Sequence, residues 1–199
     1  SSAADEEQEK LRQLVERRDD LIKMRTQEKN RFQGPAADYI RPSVENMLNY
    51  LEKEIETIEE QIRSLSYKPD FQKVLLDIPG IGPILSIAIL ATLPDIGIYS
   101  NAEVASIVGL APHPRDSGTY TGHRFVNGGR ALAKRTFFMA AFTAMRTKGP
   151  LGDFYRRLIA AGKKPMVALT ALARKIAVIA NAKIRDYLKS HQVHNPLVA

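Results

Sequence analysis

The sequence predicts an all-α protein: a long antiparallel coiled-coil hairpin followed by a compact helical domain that contains a helix-hairpin-helix element. Three observations carry this. No stretch alternates apolar and polar residues for long enough to make a strand. Val44, Leu48, Leu51, Ile55, Ile58, Ile62 and Leu65 follow one another in steps of four and three without a break, which is a heptad seam. Residues 71–93 read as helix, two-glycine turn and helix.

Taken in order, residues 6 to 32 are charged but place Leu11, Leu14, Val15, Leu21 and Ile22 on one helical stripe. Gly34-Pro35 and Arg41-Pro42 bracket a connector, and the seam follows on a second helix. Two such helices joined by about ten residues form a hairpin over 1–66. Its narrow apolar edge predicts a homo-oligomer through the coiled coil; a hairpin packed on itself or on the second domain is the alternative.

The second domain, 67–199, opens on Ile78-Pro79-Gly80-Ile81-Gly82-Pro83. Gly80 and Gly82 let a backbone come close to a phosphate, and the free N–H groups after Pro83 offer donors at a positive helix end. No Lys or Arg lies in 78–93, so a plain interhelical turn stays open beside DNA contact. Ser100 with Glu103 is a capping box for a short helix that Gly109 ends. Residues 131–146 form a helix with Leu132, Phe137, Phe138, Ala141 and Phe142 for the core. Gly149-Pro150 breaks it, a helix over 151–160 ends at Gly162, and Pro165 opens a long helix with Leu169, Leu172, Ile176, Ile179 and Ile184 inside.

A chain of 199 residues with 44% hydrophobic content can bury a core. No run of eighteen apolar residues exists and the start is acidic, so we expect a soluble cytoplasmic protein with no membrane partner. The first residue is Ser1, and the chain is expected to begin at a cut or a tag remnant. With no cysteine there is neither a disulfide nor a thiolate metal site. His191 and His194 are three apart in a polar tail, which offers no zinc site. Charge divides sharply. Residues 1–66 hold 11 basic and 15 acidic side chains, net −4, while residues 67–199 hold 18 and 7, net +11. Such a basic region is the footprint of a nucleic-acid surface.

The chemistry concentrates in residues 109–135. Two prolines, two glycines and the turn formers Asp116 and Ser117 shape a loop. Ser117 precedes Gly118, and Arg115, Arg124, Arg130, Lys134 and Arg135 surround it in sequence with cations suited to a polyanion. Three readings follow: a nucleophilic serine, a turn serine in a non-catalytic DNA-binding or architectural module, and Tyr120 as nucleophile with His123, Arg124, Arg130 and Lys134.

At Ile78-Pro79-Gly80-Ile81-Gly82-Pro83, Gly109-Leu110-Ala111-Pro112, Ser117-Gly118-Thr119, Asn127-Gly128-Gly129-Arg130, Phe138-Met139-Ala140-Ala141, Gly162-Lys163-Lys164-Pro165 and Ala173-Arg174-Lys175, the chain resembles the C-terminal transposase domain of Piv/MooV-type recombinases. That family includes insertion-sequence transposases guided by a bridge RNA. The resemblance covers residues 71 to 188, in order. It implies that Ser117 attacks a DNA phosphodiester, that DNA and a guide RNA are partners, and that the protein is bacterial and nucleoid-associated. It also implies a separate RuvC-like acidic domain holding Mg²⁺, which is absent from this stretch. This chain is therefore expected to carry no cofactor itself, and to bind DNA without cutting it.

Overall fold

A computed structural model describes residues 3–33, 37–111 and 129–192, all of whose regular structure is helical. The chain divides into two compact units, Ser1–Tyr67 and Lys68–Ala199.

The first unit is a pair of helices, α1 (Ala3–Arg31) and α2 (Ala37–Ser64). Leu21 packs with Leu51 and Ile55, and Ile22 and Ile58 close the cluster. Arg18 pairs with Glu59 across the helices at 2.7 Å. A lower number on α1 thus meets a higher one on α2, so the helices run antiparallel. Of the heptad series, Val44, Leu51, Ile55 and Ile62 are buried, whereas Leu48, Ile58 and Leu65 are half-buried at its margin. The pair therefore consumes most of its own seam.

One boundary differs from expectation. α2 begins at Ala37 and runs through Pro42. A proline this near a helix start forfeits one bond, to the Asp38 carbonyl, and its fixed φ already suits the helix. Asp38 also pairs with Arg41 one turn on, at 3.0 Å. On α1 the Arg12 guanidinium holds the Glu9 carboxyl down at about 2, with the Gln13 amide helping.

The second unit contains α3 (Pro69–Leu76), α4 (Pro83–Thr92), α5 (Asn101–Ile107), α6 (Gly129–Ala144), α7 (Pro150–Ala160) and α8 (Pro165–Gln192). α8 is its axis, packing against α3, α5, α6 and α7. Ala168, Ala173, Ala177 and Ala180 are all fully buried on it, and small residues let neighbouring helices approach closely. α4 is apolar all round and almost wholly buried; Ser86 and Thr92 donate their hydroxyls to the carbonyls of Pro83 and Ala88 in its own backbone. Buried hydroxyls are thereby satisfied without a partner from outside. α5 starts on the expected capping box, Ser100 with Glu103.

Asn181 and Arg185 tie the 97–99 connection to α8. Asn181, fully buried, accepts from the Gly97 N–H at 2.7 Å and donates to the Tyr99 carbonyl at 2.6 Å. Arg185 also donates to the Tyr99 carbonyl, so truncating Asn181 would strand the buried Gly97 N–H, at about 1–3 kcal/mol.

The core of α6 departs from expectation. Leu132, Phe137 and Ala141 are buried, as are Ala133, Ala140 and Ala144, but Phe138 is only half-buried and Phe142 is 46% exposed. Ala133, Ala140, Ala141 and Ala144 lie within about 60° of Phe137 round the helix, Leu132 extends the buried face on one side, and Phe142, five residues after Phe137, falls about 140° round on the other. On α8, Ile179 is likewise half-buried.

Candidate nucleic-acid interface

Ser117, Arg115 and Arg124, with Tyr120 and His123, lie outside the described residues. The described residues fix the two roots of the segment that carries them. On the incoming side α5 ends at Ile107, Gly109 turns with φ +70, and Leu110 is buried. The outgoing side resumes at Gly129, the first residue of α6.

Cations join these roots. Arg130 donates to the Ser106 carbonyl at 2.7 Å. A Cβ on Gly109 would stand 3.3 Å from the Arg130 Nε and 3.7 Å from the Lys134 Cδ, so a glycine there gives these side chains room. Arg174, on α8, donates its Nε to the Leu110 carbonyl at 2.7 Å. A guanidinium has five donors, so each arginine retains others beyond the one that holds the root. Arg130 and Lys134 are exposed, and Arg174 and Arg135 are half-buried. No carboxylate lies near Arg130, Lys134 or Arg135 in sequence, since residues 117–152 contain no Asp or Glu. The result is a collar of positive charge at the base of the Ser117 segment.

Arg174 belongs to this collar and was not among the cations picked out around Ser117. It is 64 residues from its acceptor. The only local signal is a charged pair, Arg174-Lys175, interrupting an otherwise apolar helical run.

The two glycines of the α3–α4 turn play different parts. Gly80 has φ +97, and a Cβ there would overlap the Ala140 carbonyl and stand 2.9 Å from the Ala144 Cβ. It is the point where the turn lies against α6. Gly82 is the N-cap of α4, with extended backbone, and a Cβ on it would meet nothing within 4 Å. Its side of the turn is open, with the first N–H groups of α4 behind it. Gly80 seats on α6 at Ala144, and Arg146 and Lys148, cations of a kind that residues 78–93 lack, follow two and four residues after Ala144 in sequence.

Among the described residues no three His, Asp or Glu side chains converge as metal ligands. The described residues do not by themselves make up a divalent-metal centre. No described helix is long and apolar enough to cross a membrane.

Residues 72–156 match the family described as "Transposase IS116/IS110/IS902 family". An uncharacterized 44.8 kDa protein of insertion element IS116 from Streptomyces clavuligerus is 36% identical over 139 residues, 68% of this chain and 35% of the relative. The 43.6 kDa protein of insertion element IS110 from Streptomyces coelicolor is 32% identical over 151 residues, 75% and 37% of the two chains. A 42 kDa protein of insertion element IS900 from Mycobacterium paratuberculosis is 34% identical over 128 residues, 62% and 31%. The chain spans about a third of the length of these relatives.

Proposed function

We propose, from the premise that the chain carries a transposase domain of the IS116/IS110/IS902 family, that it is the DNA-gripping part of a transposase and supplies the nucleophilic serine, Ser117, for strand cleavage and transfer. The observation that carries this reading is the collar of Arg130, Lys134 and Arg174 at the roots of the Ser117 segment. Cations placed there would hold a phosphodiester backbone by charge and so deliver it to the segment's hydroxyl. Arg115 and Arg124 would add to that grip, as would Arg135 on α6. Gly82 and the start of α4 would take a second stretch of backbone through N–H donors. Divalent metal, and a guide RNA if the bridge-RNA subtype applies, would be held by parts of the longer protein. The competing reading is a non-catalytic module with the same grip, and it shares every prediction but that for Ser117.

Binding of a labelled duplex, followed by fluorescence anisotropy over a salt series, tests the grip. Affinity should fall steeply as salt rises, and Lys134→Gln should weaken binding evenly across sequences while lowering the log–log salt slope by about one. A flat salt dependence, or a wild-type slope in the variant, would remove the collar from the interface.

The first unit would join copies of the protein. Leu51, 1% exposed, is spent inside the helix pair, so the joining surface has to be the apolar residues left outside: Met24, Ile40, Met47 and Tyr50, each more than 40% exposed. Met47→Glu with Tyr50→Glu should reduce the light-scattering mass to that of one chain without loss of helix signal in circular dichroism. A wild-type protein that is already a single chain would end this part of the proposal.

A further inference from the structure

We propose that the solvent face of α6 is a stacking platform for the unpaired bases of a single nucleic-acid strand. This rests on the nucleic-acid reading above and specifies its ligand further. Lys134, Phe138 and Phe142 are spaced four apart on α6 and so form one column along it, and Arg146, two residues past the helix end, sets its guanidinium over Phe142, giving cations at both ends and two rings between. The Lys134 ammonium lies 6.0 Å from the Phe138 ring centre, and the Arg146 guanidinium 4.7 Å from that of Phe142. Phe142 is 46% and the adjoining Met139 52% exposed.

The core does not need this face. Phe137, Ala140, Ala141 and Ala144 supply the packing on the other side, and Phe142 with Met139, one turn apart, forms a contiguous exposed apolar patch of the kind that marks an interaction surface. The occupant is set by charge. From 117 to 152 the chain has six Lys or Arg and no Asp or Glu, so a polyanion is favoured. Between the cations stand flat apolar rings, which match the face of a base. A duplex presents its phosphates to such a column but keeps its base faces stacked inside, so the rings would add nothing to it. A single strand can place phosphates near Lys134 and Arg146 and bases on Phe138 and Phe142, two ring positions about 6 Å apart along the helix.

The test uses the full chain with three labelled probes: oligothymidylate of about 20 nucleotides, oligouridylate of the same length and a duplex of that length. Phe142→Ala and Phe142→Leu should each weaken strand binding by about 5- to 100-fold, the effect of losing one stacked base. Duplex affinity should stay within about twofold, and Phe142→Trp should restore strand binding. Arg146→Gln should weaken all three probes. Loss on both strands assigns the face to bases in general; loss confined to one strand identifies the source as DNA or RNA. Wild-type strand affinity in Phe142→Leu would overturn the inference, because bulk and not the ring would then matter. An equal loss on duplex would overturn it, and so would a change in light-scattering mass, which would make the face a protein interface. A wild type that holds duplex but neither strand overturns this inference alone; one that holds no nucleic acid overturns the proposed function.

Discussion

Gly80→Ala is expected to lower the stability of the Lys68–Ala199 unit by about 2–5 kcal/mol, and Gly82→Ala to leave it nearly unchanged. Two costs combine at Gly80. A side chain at φ +97 is strained by about 1–3 kcal/mol, and the new Cβ would press on the Ala140 carbonyl and the Ala144 backbone, which cannot move aside as a flexible side chain can. Overpacking of that kind adds about 1–3 kcal/mol. Gly82 carries neither cost, since its φ of −90 suits any residue and the space beyond it is open. Thermal melts by circular dichroism should therefore separate two residues that look equivalent in sequence. Duplex binding should reverse the order: Gly82→Ala, fully folded, should bind several-fold more weakly if a phosphate approaches the α4 N–H groups. Equal melts for the two variants would contradict the packing described, and undiminished binding by Gly82→Ala would take the α3–α4 turn out of the DNA interface.

Ser117→Ala is expected to abolish a covalent protein–DNA adduct while leaving duplex affinity within a few-fold. In the proposed step the Ser117 Oγ bonds to phosphorus as the bond to one deoxyribose oxygen breaks. The Oγ proton passes to a base, and the departing sugar oxygen takes up a proton, from that base's conjugate acid or from water, to leave as a hydroxyl. A serine hydroxyl is a weak nucleophile and needs such a base, together with positive charge on the phosphate oxygens. The collar offers the charge, but the described residues offer no cluster of carboxylates. The 199-residue chain alone should thus hold DNA uncut. The adduct should form in a polypeptide of the relatives' full length supplied with Mg²⁺, and with guide RNA if that protein uses one. Alanine removes no charge, so the contacts that dominate affinity persist. Denaturing electrophoresis with end-labelled DNA reads the result. An adduct that survives in the alanine variant would move the nucleophile elsewhere, with Tyr120 the next residue to replace.

Helical content was legible in the sequence because it rests on local signals: the period of Val44 to Leu65, the Ser100–Glu103 cap, and Pro83, Pro150 and Pro165, each of which stands first in its helix. Those signals do not say which side of a helix is inside. Phe142 reads as core by composition, yet alanines take the buried positions of α6 because α4 and α8 lie close to it. Gly80 and Gly82 share one motif, and only the placement of α6 separates them. The collar was half legible. Arg130 and Lys134 lie close in sequence to Ser117, while Arg174 arrives on a helix 64 residues from the carbonyl it holds, a relation no local pattern encodes.

The hydrogen bond from Arg130 to the Ser106 carbonyl bears on how this chain can vary. It fastens the last turn of α5 to the first turn of α6, and Arg174 fastens Leu110 to α8. Guanidiniums from two different helices thus hold backbone carbonyls at the end of α5, and lysine, which lacks their planar fork of donors, would not be an equivalent replacement at either position.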